Sequence, residues 1–328
     1  MHEPESVLVI QPAFLGDVVF TSALVDSIGA RFPAARIDVC VTPRGRDIVL
    51  AMPRASAPIV FDKRGSDRGP RGLLHAVRRV KGHDLAVLPH RSLRSGLLAR
   101  LGRIPRRVGF RGAPGSILYT DRVPSAGDTF VAQEAQLALA LGATPAPMRL
   151  RVRPEWTDAV DPTTRHLGAF AALCIGSEWG TKIWPALRFA GLADELWRQG
   201  LAPVLIGGPR EREIAAAVNS AAHVECIDTT GNPVGEALAL LSEAAVCVGG
   251  DTGLVHAARA LGTPTVALFG PTAPGRHAFG PRTQSVSLAL ECSPCSAHGQ
   301  ARCPLGHHRC LRDLDVERVL DACEAAIA

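Results

Sequence analysis

Residues 245–272, AVCVGGDTGLVHAARALGTPTVALFGPT, leave this chain few folds to adopt. A short apolar run (Val246, Cys247, Val248) stops at Gly249-Gly250-Asp251-Thr252-Gly253. Leu254, Ala257, Ala258 and Leu261 then recur at the i, i+3, i+4, i+7 spacing of a helix packed on one face. Gly262 and Pro264 end that helix, and Thr265 to Phe269 is a second β-rich run. Strand, glycine loop, helix, strand is the repeating unit of an α/β sheet, and the loop lies where such sheets bind ligands. Glycines let the backbone approach closely with its N–H groups uncovered, and a helix start carries partial positive charge, so the loop suits a phosphate. Thr252 adds a hydroxyl donor, and His256, one turn along, can face the same ligand. A plainer reading, in which Asp251 or Thr252 simply caps the helix and His256 is half-buried, is equally open on spacing. The loop is neither a P-loop nor a dinucleotide fingerprint.

The chain has 328 residues, about two domains by length, and 47% of them are hydrophobic, enough for a large core. No apolar run reaches the roughly 18 residues of a membrane span, and MHEPESVLVI is acidic where a signal peptide is basic. These features point to a cytoplasmic enzyme or binding protein. The net charge of +5 conceals an asymmetry: residues 1–153 carry 23 Lys and Arg against 12 Asp and Glu, whereas residues 154–328 carry 13 against 19. A basic first half implies an anionic partner such as a phosphorylated glycolipid, nucleic acid or membrane surface, or else an ordinary solvated face.

The pattern from the N-terminus alternates β and α. Strands are predicted at Val7–Ile10, Ile37–Val41, Ile59–Phe61, Leu85–Leu88 and Arg106–Phe110. Helices are predicted from Asp17, over 72–80, over 92–101 and over 129–141. Residues 142–162, with four prolines, have linker composition. The pattern then restarts, with strands at 169–175, 203–206 and 224–227 and helices at 186–199, 210–220 and 235–244. The boundary drawn from this is a first domain at 1–153 and a second at 154–328, two similar α/β halves with a ligand cleft between them.

Three more segments carry chemistry: VLVIQPAFLGDVVFTSAL at 7–24, CIGSEWGTKIWP at 174–185, and LECSPCSAHGQARCPLGHHRCL at 290–311. Together with the 245–272 stretch, in order and over nearly the whole chain, they resemble glycosyltransferase family 9. Within it they are most similar to ADP-heptose:lipopolysaccharide heptosyltransferases of the heptosyltransferase II branch. The resemblance implies a GT-B fold: two Rossmann-like domains with parallel sheets facing across a cleft, the first binding acceptor and the second binding nucleotide sugar. It implies inverting transfer of heptose from ADP-L-glycero-D-manno-heptose to inner-core lipopolysaccharide, with no cofactor or metal required for catalysis. The implied partners are the ADP-heptose donor, a phosphorylated glycolipid acceptor and the cytoplasmic face of the inner membrane, met peripherally; nucleic acid is not among them.

Carried over residue by residue, the resemblance makes Asp17 of the Gly16-Asp17 pair the general base and Lys182 the phosphate contact. Asp251, Thr252, Gly253, Leu254 and His256 form its donor loop, Ser177 joins them, and Glu211 is the candidate ribose contact. Family members often carry Arg at the position of Gln11, so acceptor binding is assigned to Gly16, Arg94 and Arg107, drawn from a set that includes Arg91, Arg106 and Arg111. Acid–base chemistry agrees with these roles. Inverting transfer needs a carboxylate to take the acceptor proton, and a diphosphate leaving group needs cations and N–H donors. The competing readings are Asp17 as a helix cap, Lys182 as a surface residue and Trp179, beside Glu178, as a cover for the domain edge.

Nine cysteines in a cytoplasmic chain argue against a disulfide framework. Cys292, Cys295, Cys303 and Cys310 are clustered, with His298, His307 and His308 interspersed, and are candidate ligands of a structural zinc or an iron–sulfur cluster. Buried thiols or a disulfide are the alternatives there. Cys40, Cys174, Cys226, Cys247 and Cys323 sit in apolar runs and read as core. Two other functions stay open: a family-9 transferase for another nucleotide sugar and glycan, and a non-catalytic sugar-nucleotide- or metal-binding regulator.

Overall fold

A computed structural model of the chain describes residues 3–277, 279–280 and 282–328. It divides into two compact units between Arg151 and Val152. The first contains β1 (Ser6–Ile10), α1 (Leu15–Arg31), β2 (Arg36–Val41), α2 (Arg46–Leu50), β3 (Ala57–Val60) and α3 (Gly69–Val80). It continues with β4 (Leu85–Leu88), α4 (Leu93–Leu101), β5 (Arg106–Phe110), β6 (Asp121–Val123) and α5 (Phe130–Ala140). Its six strands lie in the order β3-β2-β1-β4-β5-β6. All pairings are parallel, with Val7 of β1 opposite both Ile37 and Leu85.

The centre of this sheet is β1, where Val7, Leu8, Val9 and Ile10 are wholly buried. Helices on both faces of a parallel sheet require that kind of unbroken apolar run. On α1 the apolar residues Val18, Val19, Ala23, Leu24 and Ile28 are all buried. The helix opens at Leu15 rather than Asp17, however. Phe14 is the capping residue, and the Asp17 carboxylate, three positions on, accepts the Phe14 N–H at 3.2 Å. That reach-back bond is half of a capping box. In this unit α2 and β6 went unread in the sequence, because both are too short to show a period.

The second unit contains α6 (Pro154–Ala159), α7 (Pro162–Arg165), β7 (Phe170–Cys174), α8 (Ala186–Arg198), β8 (Ala202–Ile206), α9 (Arg212–Ala221) and β9 (Ile227–Asp228). After these come α10 (Val234–Glu243), β10 (Val246–Gly250), α11 (Gly253–Leu261), β11 (Thr265–Phe269), β12 (Thr283–Ser287), α12 (Arg309–Arg312) and α13 (Val316–Ile327). The strand order is β12-β11-β10-β7-β8-β9, again all parallel. Counted within its own unit, each sheet therefore runs 3-2-1-4-5-6, the Rossmann order, with its switch point between the first and fourth strands.

Several boundaries depart from expectation. Strand β10 does not stop before Gly249: Gly249 pairs with Ala267 and Gly250 with Leu268. Gly250 is required there because a Cβ would lie 2.1 Å from the Lys182 carbonyl oxygen. The predicted linker holds α6. The strand expected at 224–227 shrinks to Ile227–Asp228, since the Val224 N–H donates to Asp194 and the Cys226 N–H to Asn219 instead of to a ladder. At the C-terminus, α13 packs on α8 and buries Val319, Cys323 and Ala326.

Trp184 anchors this packing. It is fully buried, its indole N–H donates to the Leu314 carbonyl at 3.2 Å, and its ring meets Phe189 edge-on at 5.0 Å. Replacing Trp184 by Ala is expected to destabilise the second unit by about 3–5 kcal/mol. Denaturant unfolding followed by a probe in that unit measures it.

Candidate active site

The loops after β7, β8, β10 and β11 all leave the C-terminal edge of the second sheet, on either side of its switch point. They carry Ser177 and Lys182, Glu211, Asp251 and Thr252, and Thr272 and His277 respectively. The centre of the arrangement is the Asp251 carboxylate, which is 8% exposed. Lys182 Nζ donates to Oδ2 at 2.6 Å, and Thr272 Oγ1 donates to the same oxygen at 2.8 Å. His256 Nε2 lies 2.9 Å and His277 Nε2 3.4 Å from Oδ1. Burial would raise this carboxyl's pKa, but the hydrogen bonds from the two imidazoles and the nearby ammonium hold it far below the usual range.

Arg259 lies 3.0 Å from His256 Nδ1. An arginine only donates, so Nδ1 accepts and Nε2 carries the hydrogen given to Asp251. That fixes a neutral imidazole, in keeping with a pKa pushed down to about 4, chiefly by burial. The two histidine rings stack at 4.5 Å.

Asp251, His256 and His277 bring one ligand atom each within 4.8 Å of one another, a spacing that can hold a metal. The set does not fit one. Lys182 already neutralises Oδ2, and Nε2 of His256 is protonated toward Oδ1, so a dication would have to displace both. Both capping alternatives also fall away. Asp251 turns to Lys182, and Thr252 occupies the cap position of α11 without a side-chain cap bond. His256, expected half-exposed or facing a ligand, is 2% exposed. The start of α11 thus has no side-chain cap, while Gly253 and Leu254 form its first turn. Ser177 is half-buried and its hydroxyl accepts the Trp179 N–H at 3.4 Å. Glu211 lies so close over Gly176 that a Cβ there would be 2.3 Å from its Cγ, which brings the β7 and β8 loops together.

In the first unit, the edge beside the β1/β4 switch point holds Gly16 and Asp17 in the opening turn of α1. A cavity of about 380 Å³ opens on that edge, lined among others by Pro12, Lys63, Arg64, His90 and Arg94. Lys63 Nζ donates to the Pro12 carbonyl at 2.6 Å. Burial, then Arg64 and Arg94, lowers its pKa. Behind Asp17, Gln11 Nε2 donates to Thr21 Oγ1 at 3.1 Å and to Glu134 Oε1 at 3.2 Å. Burial pushes the Glu134 carboxyl up to about 8, and the charge of Asp17 adds to the rise.

The sequence model of glycosyltransferase family 9 (heptosyltransferase) matches residues 72–305. The chain belongs to glycosyltransferase family 9. A curated relative, lipopolysaccharide heptosyltransferase 2 of Salmonella typhimurium, is 29% identical to it over 96% of both chains. The solved structure of the E. coli ADP-heptose lipopolysaccharide heptosyltransferase II superposes with a TM-score of 0.76 at 25% identity, over 98% of each chain. A family-9 glycosyltransferase from Veillonella parvula gives a TM-score of 0.88 at 22% identity, and that likeness shows the fold. The protein is thus a glycosyltransferase of the GT-B class, with two Rossmann-like units.

Within this family-9 transferase, Lys182, Asp251, Thr252, Gly253, Leu254 and His256 meet on one sheet edge, with Ser177 and Glu211 on neighbouring loops. One acceptor assignment is corrected. Arg107 donates through Nε to the Leu118 carbonyl at 2.7 Å and through NH1 to those of Ile104 and Pro105, so its guanidinium braces loops. Arg106 pairs with Asp121 and Arg91 with Ser125 and Gln133, whereas Arg94 lines the cavity. Sequence reasoning missed Thr272, His277, Lys63 and Glu134. Thr272 closes the 245–272 stretch but gives no local sign of turning back to Asp251, and His277, Lys63 and Glu134 reach their sites from loops or a helix with no motif of their own.

Glu134 gives a pH prediction. A carboxyl whose folded pKa lies above its unfolded value of about 4.3 binds more protons folded, so its stabilising effect is lost as pH rises from there to about 8. Glu134→Gln is expected to remove that slope and to make the first unit more stable than wild type above pH 8. Chemical denaturation between pH 5 and 9 measures it.

Proposed function

We propose that this protein transfers heptose from ADP-L-glycero-D-manno-heptose to the inner core of lipopolysaccharide, with inversion at the anomeric carbon. The observation that carries the reading is the Lys182–Asp251 pair beside the uncapped start of α11. It sets a held ammonium and the first-turn N–H groups of α11 at the ligand-binding edge of a Rossmann sheet. An ammonium has three donors and Asp251 takes one, so the rest can meet the diphosphate as its charge grows on leaving. Thr252 contributes its hydroxyl from the same turn, and Ser177 and Glu211 bound the nucleotide side. In this reading His256 acts through Asp251, as the group that fixes its orientation.

Asp17 serves as the base. Its carboxylate stands in the opening turn of α1, where Oδ2 accepts the Phe14 N–H, and a carboxylate is the group that can take the proton of an incoming hydroxyl. The buried Glu134 behind it keeps its proton and so spares the site a second negative charge. The cavity with Lys63, Arg64 and Arg94 suits the anionic groups of a phosphorylated glycolipid, with Gly16 giving close backbone approach. Catalysis in this scheme calls on no metal, because Lys182 and the helix start supply the positive charge. Among the described residues no helix is long and apolar enough to cross a membrane. The proposed place of action is the cytoplasmic face of the inner membrane, reached peripherally through the basic first unit.

The test is transfer by the purified chain. Turnover with ADP-heptose and a heptose-accepting core glycolipid is expected, and turnover with UDP- or GDP-sugars alone would replace the donor assignment. Asp17→Asn should lower kcat by roughly 100- to 10,000-fold while ADP binding persists. Lys182→Ala should weaken ADP binding itself, as calorimetry can show. An Asp17→Asn enzyme with wild-type kcat would remove Asp17 from the mechanism.

A further inference from the structure

The two faces of the first sheet are covered by helices of different character. Right-handed crossovers put α1 and α2 on one face, and α3 and α4, which lead from β3 through β4 to β5, on the other. The second pair packs closely: a Cβ on Gly102, just past α4, would lie 3.0 Å from Val80 Cγ2 at the end of α3. The turn at Ser116–Leu118 closes on α4, where a Cβ on Gly96 would lie 3.2 Å from Leu118 Cδ1. On α3 the buried residues are Gly72, Ala76 and Val80. Arg71, Leu74, His75 and Arg78, at i, i+3, i+4 and i+7, share the opposite, exposed side. Leu93, Arg94, Arg100 and Leu101 are the exposed residues of α4.

Residues 68–118 hold twelve Lys and Arg against one acid, Asp84. That acid lies ahead of β4 and accepts the N–H groups of Glu5 and Ser6, so it does not serve the helices. Neither α3 nor α4 contains an Asp or Glu. An ordinary solvated face interleaves both signs, because like charges one turn apart on a helix repel. Arg79 is spent on the buried Asp67 at 2.6 Å, but Arg71, Arg78 and Arg100 are exposed with no acid on either helix to meet them. The same surface carries Leu74, Leu93, Leu101 and Ile117, all 45–75% exposed. They are four of the ten large apolar side chains so exposed among the described residues, although residues 69–118 are only 50 of 328. Guanidinium groups beside aliphatic side chains match a lipid surface, with phosphates for the first and the acyl boundary for the second. A nucleic acid surface would set aromatic rings among the basic groups, and none of these four is aromatic.

We propose that the outward side of α3 and α4 docks on an anionic lipid bilayer, with Arg71, Arg78 and Arg100 on headgroup phosphates and Leu74, Leu93 and Leu101 at the acyl boundary. The surface leads to the cavity of the first unit, because Arg94, at the start of α4, also lines that cavity beside Lys63 and Arg64. Docking on this side therefore holds the cavity next to the headgroups from which a lipid-anchored acceptor rises. That last step rests on reading the cavity as the acceptor site; the docking surface does not.

The test is co-sedimentation of the purified full chain with vesicles. Mixed phosphatidylethanolamine and phosphatidylglycerol vesicles should carry the chain down at about 0.15 M salt, and phosphatidylcholine vesicles should not. Arg71→Gln/Arg78→Gln/Arg100→Gln removes three charges, each worth roughly fivefold in partitioning, so binding should fall on the order of a hundredfold. Leu74→Ser/Leu101→Ser should weaken binding by roughly tenfold and leave its salt dependence unchanged. Arg282→Gln/Arg302→Gln/Arg318→Gln, which changes the net charge equally from exposed positions of the second unit, should bind as wild type. Circular dichroism of each variant checks its fold. No binding to the anionic vesicles, equal binding to phosphatidylcholine, or an equal loss in the second-unit variant would each overturn the docking surface. So would duplex DNA that displaces the chain from vesicles and is itself released by the α3/α4 triple variant, since the surface would then be a nucleic acid site. Undiminished transfer to a vesicle-embedded glycolipid by that triple variant would overturn the step from docking to acceptor. Normal vesicle binding in a chain that transfers nothing would refute the proposed function and leave the surface standing.

Discussion

A carboxylate taken out of water has to be surrounded by donors, and at Asp251 that requirement organises half of the molecule. Its partners are Lys182 at 2.6 Å, Thr272 at 2.8 Å and His256 at 2.9 Å, drawn from the loops after β7 and β11 and from α11 itself. No one of these stretches can satisfy the charge alone. They converge only because β7, β10 and β11 lie side by side with all their C-terminal ends on one edge. The cluster is stable only in the folded sheet, and the sheet's order is what makes a phosphate-binding edge of it.

The first unit applies the same topology to a different chemistry. Its switch point also lies between its first and fourth strands, but the edge offers Asp17 and a basic cavity rather than a glycine loop held by a buried ion pair. Glu134, Gln11 and Thr21 form a polar knot behind Asp17. Gln11 offers Glu134 a neutral amide, which leaves that buried carboxyl without a cation bonded to it. Burial then holds the proton on Glu134, and the network remains uncharged. Membership of glycosyltransferase family 9 accounts for two such sheets in one chain, since a group transfer has two substrates to hold.

Much of this was legible from residue order. Leu85–Leu88 and Thr265–Phe269 lie where their apolar runs put them, because strands covered on both faces must be apolar throughout. The Gly262 stop of α11 adopts the left-handed conformation expected of it, at φ +87°. Signals failed where side chains answered to partners far off in sequence. Val224 reads as strand, but its N–H belongs to Asp194. Arg107 reads as a phosphate ligand, but three backbone carbonyls near it in space take its donors. Spacing left capping open for Asp251 and Thr252, and neither caps α11 through its side chain.

Local pattern alone determined that the chain would build two α/β units with glycine loops at strand ends, since hydrophobic period and glycine placement act over a few residues. Tertiary structure decided which polar groups meet across those loops. Asp251 against Lys182, Glu134 against Gln11, and Gln300 against Thr181 are separated by 69, 123 and 119 residues. Such pairings depend on the order in which strands lie down, and no periodicity within a single segment encodes that order.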